Sequence, residues 1–300
     1  MALRYDTISF LSDYGLADEF VGVVHSVIRS IAPEVAVVDL THQIAPYDVR
    51  AGGLALARSA PYLCPGVVVA VVDPGVGTPR RGIAIEVGDG ASILVGPDNG
   101  LLAPAVAMCG GASRVVELAA DEYQLEAPGP TFAGRDVFAP AAAHLCLGVA
   151  LTDLGPEIDP HTLRPGLLPV AHDLEGELNA EVLWVDRYGN AQLNLDPDEL
   201  APLGDRVRLR FNDEIRNASV VETFAEVRAN EIGLIVDSYG LVAIVVDQQS
   251  AATQLGLGAG TPVYLSSWDD EDGAASLGVT TRVSLGSRRS ATPTDPATEG

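Results

Sequence analysis

The sequence contains no lysine, so all 18 of its basic residues are arginines. This excludes chemistry that needs a lysine amine, including a Schiff base, a P-loop lysine and a Ser–Lys dyad. Cysteine is also scarce. Cys64, Cys109 and Cys146 are widely spaced and form neither a metal-ligand pattern nor a disulfide framework. We therefore expect no bound metal and a reducing, cytoplasmic setting.

Positive charge and long apolar runs are lacking as well. The formal net charge of −23 at pH 7 argues against nucleic acid and anionic membranes as partners. No apolar run reaches the roughly 18 residues of a membrane-spanning helix, and the first residues do not resemble a signal peptide. The chain does have 47% hydrophobic residues in a length of 300, enough for a sizeable core in one or two domains.

The order of apolar segments predicts two kinds of structure along the chain. In the first half, short strands alternate with helices, which predicts an α/β domain with a Rossmann-like, mostly parallel sheet and helices on both faces. Val35–Leu40 and Val67–Val72 are both expected to be buried strands of that sheet. The second half has short strands separated by turns, which predicts an all-β barrel or sandwich. We place the α/β domain at 1–160, a linker at 161–174, the all-β domain at 175–285 and a disordered tail at 286–300.

The stretch VVVAVVDPGVGTPRR, residues 67–81, carries the clearest candidate chemistry. Asp73 follows the buried strand at its carboxyl end, where open α/β sheets bind their ligands. Arg80 lies seven residues further on, so a guanidinium can pair with this carboxylate. From this stretch alone, the pair is either a structural ion pair or a site that holds and polarises a small polar reactant.

Other residues are compatible with an adenosyl ligand. Asp13 follows the first strand, and an Asp at that edge commonly holds the hydroxyls of a ribose. No complete GxGxxG motif follows a strand, which leaves an adenosyl compound without phosphates as the nucleoside ligand to consider. In DRYGN, Tyr188 offers a stacking face and Asn190 an amide edge suited to adenine, but the same residues are ordinary in a hairpin turn. Neither a GxSxG elbow nor an HExxH helix is present.

Seven segments, taken in order, resemble one family. They are FLSDYG at 10–15, VVDLTHQIAPYDVRAGG at 37–53, VVDPGVGTPRR at 71–81, VGPDNGLL at 95–102, PTFAGRDVFAPAAAHL at 130–145, VDRYGNAQLN at 185–194 and DSYG with VVDQQSA at 237–251. Over residues 5–285 the chain resembles the adenosine-forming S-adenosyl-L-methionine (SAM) hydrolases, or SAM hydroxide adenosyltransferases, which are related to the fluorinases and chlorinases. The resemblance implies hydrolysis of SAM to adenosine and L-methionine by attack of water at ribose C5′, with no cofactor. It also implies a C-terminal β-barrel and a homotrimer, with each site between the α/β domain of one subunit and the barrel of its neighbour.

The resemblance also assigns roles to residues. Asp73 and Arg80 are the expected catalytic pair, with Asp13 at the ribose hydroxyls and Tyr47 beside the reaction centre. Asp186 and Ser238 are expected to bind the methionine end of the substrate. The remaining expected contacts to the substrate are Tyr188, Asn190, Phe224, Val246 and Gln248 on the adenine side, and Thr131, Phe132 and Gly134 in the TFAGRD loop.

One position departs from the hydrolase pattern. The hydrolases carry a third catalytic residue, a His, where this chain has Ala133 in TFAGRD. The halogenases carry Tyr where this chain has Asp73, and a carboxylate there disfavours a halide because like charges repel. Three alternatives to hydrolysis stay open: a SAM-dependent halogenase that makes a 5′-halo-5′-deoxyadenosine, a catalytically impaired protein that binds SAM or adenosine, and a structural α/β protein with no adenosyl ligand.

Overall fold

The computed structural model describes residues 3–166, 168–174 and 176–268. The predicted tail at 286–300 and the last part of the predicted all-β domain, up to residue 285, lie outside the described residues. The domain boundaries at 160 and 174 stay predictions. None of the helices in the described ranges is both long enough and apolar enough to cross a membrane.

The first sheet has six strands in the order β2-β1-β3-β5-β4-β6. These strands are β1 (Thr7–Ser12), β2 (Ala36–Thr41), β3 (Val67–Val71), β4 (Gly82–Val87), β5 (Ser92–Pro97) and β6 (Arg114–Glu117). Strands β2, β1, β3 and β5 pair in parallel, whereas β4 runs antiparallel to β5 and β6. The predicted α/β fold with a mostly parallel sheet is confirmed.

Helices cover both faces of this sheet. They are α1 (Phe20–Ile31), α2 (Val49–Ser59), α3 (Ala103–Met108) and α4 (Ala139–Cys146). Helices α1 and α4 share one hydrophobic core with the sheet, and α2 and α3 share the other. The residues of β3 face both cores and are all buried, which explains why this strand is apolar at every position.

The prediction that Val35–Leu40 forms a buried strand is wrong in its burial. The strand forms as β2, but it lies at the edge of the sheet and pairs only with β1. Val38 is 46% exposed as a result. An apolar run predicts a strand but does not distinguish a central strand from an edge strand, because position in the sheet depends on the other strands.

The second sheet closes into a barrel. Seven strands follow the order β14-β10-β11-β12-β13-β9-β8, and β14 pairs back with β8. A further short strand, β7, pairs with the start of β8. The strands are β7 (His172–Leu174), β8 (Glu177–Val185), β9 (Ala191–Leu193), β10 (Arg206–Phe211), β11 (Glu214–Val220), β12 (Ile232–Val236), β13 (Val242–Val246) and β14 (Pro262–Ser267). The predicted β-barrel is confirmed, with two short helices, α5 (Pro197–Leu200) and α6 (Ala251–Leu255), between its strands.

Gly96 marks a tight approach of β5 to β3. A Cβ on Gly96 would lie 2.4 Å from the backbone oxygen of Ala70. Gly96→Ala is therefore expected to lower the free energy of unfolding by about 1–3 kcal/mol, because backbone must move to accommodate the methyl group. Gly22→Ala is the control: no atom lies within 4 Å of its added Cβ, and Ala in place of Gly in α1 should stabilise by about 0.4–1 kcal/mol. Urea unfolding of both variants checks the prediction, and a Gly96 variant as stable as the native protein would contradict it.

Candidate functional site

The carboxyl ends of β1 and β3 bring Asp13 and Asp73 to one edge of the sheet. The two strands are parallel neighbours, with Ser12 opposite Val71. The Asp13 backbone N–H donates a hydrogen bond of 3.3 Å to the Val71 carbonyl oxygen. The expected placement of both carboxylates at the same edge is therefore present.

Asp73 and Arg80 form a close, sheltered ion pair. The Arg80 Nε donates to both carboxylate oxygens of Asp73 at 2.9 Å, and Nη2 also contacts Oδ2. The Asp73 side chain is only 6% exposed. The connecting loop is tightly turned: the Thr78 hydroxyl donates to the Gly75 carbonyl at 2.6 Å, and Gly77 has a positive φ of 77°. The loop therefore folds back so that the seven-residue spacing becomes a direct contact.

Asp13 is tied to the segment before α2. The Tyr47 backbone N–H donates to Asp13 Oδ2 at 2.9 Å. Tyr47 has a φ of 68°, which is uncommon for a residue with a side chain, and its ring is 73% exposed. The Asp13 contact and the Asp48 cap on α2 hold this conformation. The Tyr47 ring is thus presented outward beside Asp13.

Ser12, His42 and Asp39 form a row of close polar contacts behind this edge. His42 Nδ1 lies 2.8 Å from the Ser12 hydroxyl, and His42 Nε2 lies 3.0 Å from Asp39 Oδ1. The order resembles a Ser-His-Asp triad, but Ser12 is completely buried and its oxygen accepts from the Tyr14 backbone N–H. Ser12 therefore has no access to a substrate. Its contacts with His42 and the Tyr14 backbone instead hold the turn that carries Asp13.

His25 extends this cluster to three side chains that could together hold a metal ion. His25, Asp39 and His42 place one ligand-type atom each within 4.8 Å of one another. His25 Nε2 lies 2.8 Å from Asp39 Oδ1, a hydrogen-bond distance. Burial opposes the ionised form of Asp39, but the adjacent His42 and His25 rings outweigh it and hold the pKa of Asp39 below its usual range. The Asp39 carboxylate oxygen Oδ1 thus lies within about 3 Å of a ring nitrogen of each histidine.

The TFAGRD loop leads into a wide π-helical turn, Gly134–Phe138, directly before α4. Thr131 is exposed, whereas Phe132 and Ala133 are half-buried and Gly134 is buried. Phe132 packs edge-on against Phe20 and Tyr14, with ring centroids 5.0 and 5.6 Å apart. Ala133 places a methyl group where the family pattern has an imidazole, so this position supplies no polar group.

Tyr14 belongs to the same site, although it is absent from the site residues that the sequence predicts. Burial raises the pKa of the Tyr14 phenol, and the charges of Asp13 and Asp73 raise it further. The Gly134 backbone and the charge of Arg80 lower the pKa of Tyr14, but by less. Tyr14 directly follows Asp13, and its hydroxyl lies against the backbone of Gly134. Its position directly after Asp13 in FLSDYG was the signal available in the sequence. We call Asp13, Tyr14, Asp73, Arg80 and Gly134 the rim site.

The residues expected on the adenine side lie together on the barrel. Tyr188, Asn190, Phe224, Val246 and Gln248 line one cleft of about 560 Å³, which we call the barrel cleft. Tyr188 is 79% exposed, and Phe224 is also exposed. The cleft thus offers two aromatic faces, an amide and the backbone at the end of β13.

The DRYGN segment is a turn, and two of its residues, Tyr188 and Asn190, line the barrel cleft. The Asp186 carboxylate accepts hydrogen bonds from the backbone N–H groups of Tyr188 and Asn190 at 2.8 and 2.9 Å, and from the Asn190 side chain at 2.7 Å. Gly189 has a φ of 87°, and a Cβ there would collide with Ser250. The turn and ligand interpretations are therefore compatible, since the turn holds Tyr188 outward.

The segment that carries Ser238 is built in the same way. Asp237 accepts from the backbone N–H groups of Tyr239 and Leu241 at 2.8 and 3.3 Å, and Gly240 has a φ of 82°. Ser238 thus corresponds in position to Arg187 of the first turn. Gln192 on β9 donates a 2.5 Å hydrogen bond to Asp237. Asp186 and Ser238 therefore lie on two similar turns that border the paired strands β9 and β13.

The rim site and the barrel cleft are not joined within one chain. Helix α2 connects the two domains: Arg50 pairs with Glu181 at 2.5 Å, and the Arg58 guanidinium lies over the Trp184 ring at 4.1 Å. Among the described residues, we find no hydrogen bond or ion pair between the rim site and the barrel cleft, whose lining comes from the barrel alone. Within the described residues of one chain, the rim site and the barrel cleft are therefore separate.

Comparison with known proteins supports the assignment that these motifs suggest. The family model of the SAM hydroxide adenosyltransferase N-terminal domain matches residues 8–155, and that of the C-terminal domain matches residues 180–264. An (R)-S-adenosyl-L-methionine hydrolase of Salinispora tropica is 45% identical over 253 residues, which cover 84% of this chain and 95% of that protein. A fluorinase of Nocardia brasiliensis is more distant, with 28% identity over 299 residues that cover 87% of this chain and 97% of that protein.

A solved structure shares the fold. The crystal structure of an uncharacterized conserved protein from Thermotoga maritima superposes with a TM-score of 0.80 and 31% sequence identity. The match covers 86% of this chain and 99% of that one. The resemblance inferred from the ordered motifs is confirmed by these matches, and the chain belongs to the SAM hydroxide adenosyltransferase family.

Proposed function

We propose that this protein hydrolyses SAM to adenosine and L-methionine by in-line attack of water at the ribose C5′. The observation that carries the proposal is the sheltered Asp73–Arg80 pair at the carboxyl end of β3, in a chain of this family. The net charge of −23 also suits a cationic substrate, because a negative surface attracts it.

The substrate itself supplies much of the driving force. Its sulfur is a sulfonium, so the C5′–S bond breaks with its electron pair moving to sulfur, and neutral methionine leaves. Water forms the new C5′–O bond and loses one proton, which gives the 5′-hydroxyl of adenosine. No redox cofactor or metal is needed for this balance, and SAM is the substrate. The protein has to hold one water in line with the C5′–S bond and accept its proton.

Asp73 and Arg80 fit these two tasks. Asp73 accepts the hydrogen of the attacking water, and Arg80 holds the carboxylate in one orientation through its bidentate contact. The positive charge of Arg80 also favours hydroxide character on the water. A positioned proton acceptor contributes about 10²–10⁴-fold, and orientation of the two reactants contributes up to roughly 7–11 kcal/mol of the barrier.

We further infer that the active form is a homotrimer in which the barrel cleft of one subunit covers the rim site of the next. This is supported by the aromatic faces that each half-site leaves exposed in one chain, Tyr47 at the rim and Tyr188 and Phe224 at the cleft. In that assembly, Asp13 holds the ribose hydroxyls and Tyr47 lies beside the reaction centre, with Thr131 and Phe132 nearby. Asp186 and Ser238 bind the methionine end. We also place the protein in the reducing cytoplasm, in keeping with its three free cysteines.

Tyr188 provides a test of the adenine assignment. Tyr188→Ala should weaken adenosine binding by roughly 5- to 150-fold, because stacking on an aromatic ring contributes about 1–3 kcal/mol per base. Isothermal titration calorimetry with adenosine measures the effect. Tyr62→Ala is the matched control, since Tyr62 is similarly exposed, at 74%, but lies outside the barrel cleft. Equal affinity of the Tyr188 variant and the native protein would remove Tyr188 from the binding site.

The reaction is tested by incubating the protein with SAM and separating the products by chromatography, with and without chloride or fluoride. Hydrolysis predicts adenosine and methionine in equal amounts, whatever the halide. A 5′-halo-5′-deoxyadenosine that forms only with halide would identify a halogenase. SAM binding by calorimetry without any adenosine over hours would identify a binding protein that Ala133 has made inactive.

A further inference from the structure

We propose that the Tyr14 hydroxyl holds the attacking water together with Asp73, and so supplies the polar group that Ala133 lacks. This inference rests on the proposed hydrolysis of SAM and names a further residue for that reaction. It concerns a residue outside the TFAGRD loop, on the turn after β1.

The position of the Tyr14 hydroxyl is the first observation. A Cβ added to Gly134 would lie 2.2 Å from the Tyr14 hydroxyl oxygen. It would also lie 3.1 and 3.2 Å from two carbons of the Tyr14 ring. The phenol therefore reaches directly onto the backbone of Gly134, the residue that follows Ala133. Gly134 is needed there because any side chain would displace the hydroxyl.

The ring of Tyr14 is fixed by aromatic neighbours. Its centroid lies 5.6 Å from those of Phe132 and Phe20 and 6.4 Å from that of Phe10. These contacts involve the ring and not the hydroxyl. Packing thus explains why an aromatic residue occupies this position, but it does not explain the oxygen atom that Tyr carries and Phe lacks.

The charges around the hydroxyl keep it protonated, so that it can donate a hydrogen bond. Burial and the carboxylates of Asp13 and Asp73 raise the pKa of Tyr14 above its ordinary value, so the phenol keeps its proton at any physiological pH. The Gly134 backbone, which lies against this oxygen, acts on the pKa of Tyr14 in the opposite direction. Among the described residues we find no hydrogen bond that the Tyr14 hydroxyl donates, so its hydrogen remains available to a further partner.

A water between Tyr14 and Asp73 provides a hydrogen-bond partner for both the hydroxyl and the carboxylate. Tyr14 donates its hydrogen to one lone pair of the water, and the water donates one of its own hydrogens to Asp73. The second lone pair of the water then points away from both side chains toward C5′. Asp73 alone does not fix this orientation, since one hydrogen bond leaves the water free to rotate about it.

Tyr14→Phe tests the proposal, because it removes one oxygen and keeps the ring contacts. We expect kcat for adenosine formation to fall by about 10- to 100-fold while KM changes by less than about twofold. Tyr123→Phe is the matched control, since the Tyr123 ring contacts His144 away from the rim site. Circular dichroism and SAM calorimetry on the same samples show that folding and binding are retained.

A second variant separates a water-holding role from a merely structural one. If Tyr14 replaces a group at position 133, then Ala133→His should raise kcat more in the Tyr14→Phe protein than in the native one. Native kcat in Tyr14→Phe, or an equal effect of Ala133→His in both backgrounds, would overturn the inference and leave the hydrolase function intact. If the native protein forms no adenosine, the proposed function itself fails.

Discussion

Asp73→Asn is expected to lower kcat for SAM hydrolysis by about 10²–10⁴-fold while SAM still binds. Asparagine has nearly the same shape as aspartate, so the loop from Asp73 to Arg80 keeps its course. Its amide does not accept a proton from the attacking water, and the opposite charge beside Arg80 is lost. Steady-state formation of adenosine gives kcat, and calorimetry with SAM gives the affinity.

The chain offers a matched control for this variant. Asp98 and Arg81 form a second sheltered ion pair, in which Arg81 Nε donates to Asp98 Oδ2 at 2.9 Å. Asp98 Oδ1 also accepts from the Arg164 backbone N–H at 2.8 Å, so this pair ties the segment after α4 to the sheet. Asp98→Asn should lower stability but leave kcat per folded molecule unchanged. If Asp73→Asn keeps the native kcat, or both variants lose activity equally, the role of Asp73 is refuted.

Mixing two inactive variants is expected to restore activity if each active site is shared between subunits. One variant carries Asp73→Asn at the rim site, and the other carries Tyr188→Ala and Asn190→Ala at the barrel cleft. Each alone forms only defective sites. In randomly mixed trimers, a site is intact when its rim comes from the second variant and its cleft from the first, which holds for about a quarter of the interfaces.

Co-refolding of the two variants, followed by the adenosine assay, measures this recovery. Native mass spectrometry confirms that the trimers contain both chains. The control mixes Asp73→Asn with Arg80→Gln, since two rim defects leave no intact site in any combination. Mixed trimers without recovered activity would show that the rim site and the barrel cleft are not shared between neighbouring subunits.

The placement of Asp13 and Asp73 could be predicted because it depends on a general rule. Residues that follow parallel strands meet at one edge of the sheet, and the apolar runs that form β1 and β3 are evident in the sequence. The pairing of Asp73 with Arg80 needed only a loop short enough to fold back. Its alternative, a purely structural ion pair, is what Arg81 makes with Asp98 in the neighbouring position.

Other features depend on contacts between distant segments and were not predictable in this way. The edge position of β2 follows from pairing, and the short β9 and largely exposed β11 leave little periodic signal. Tyr14 meets Gly134 only after β1 and the start of α4 come together. Tyr188 and Asn190 could be named from DRYGN, although the same segment is equally typical of a hairpin turn. Phe224, Val246 and Gln248 could be predicted only from the family resemblance.

The central claim is that a water held by Asp73 attacks C5′ of SAM. The origin of the 5′-hydroxyl oxygen of adenosine tests it most directly. The protein is incubated with SAM in water enriched in ¹⁸O, and the products are analysed by mass spectrometry. Attack of an Asp73-held water at C5′ predicts one ¹⁸O atom in the 5′-hydroxyl of adenosine and unlabelled methionine, in amounts that fall sharply with Asp73→Asn. Adenosine without the label, or labelled adenosine formed equally well by Asp73→Asn, would contradict the account.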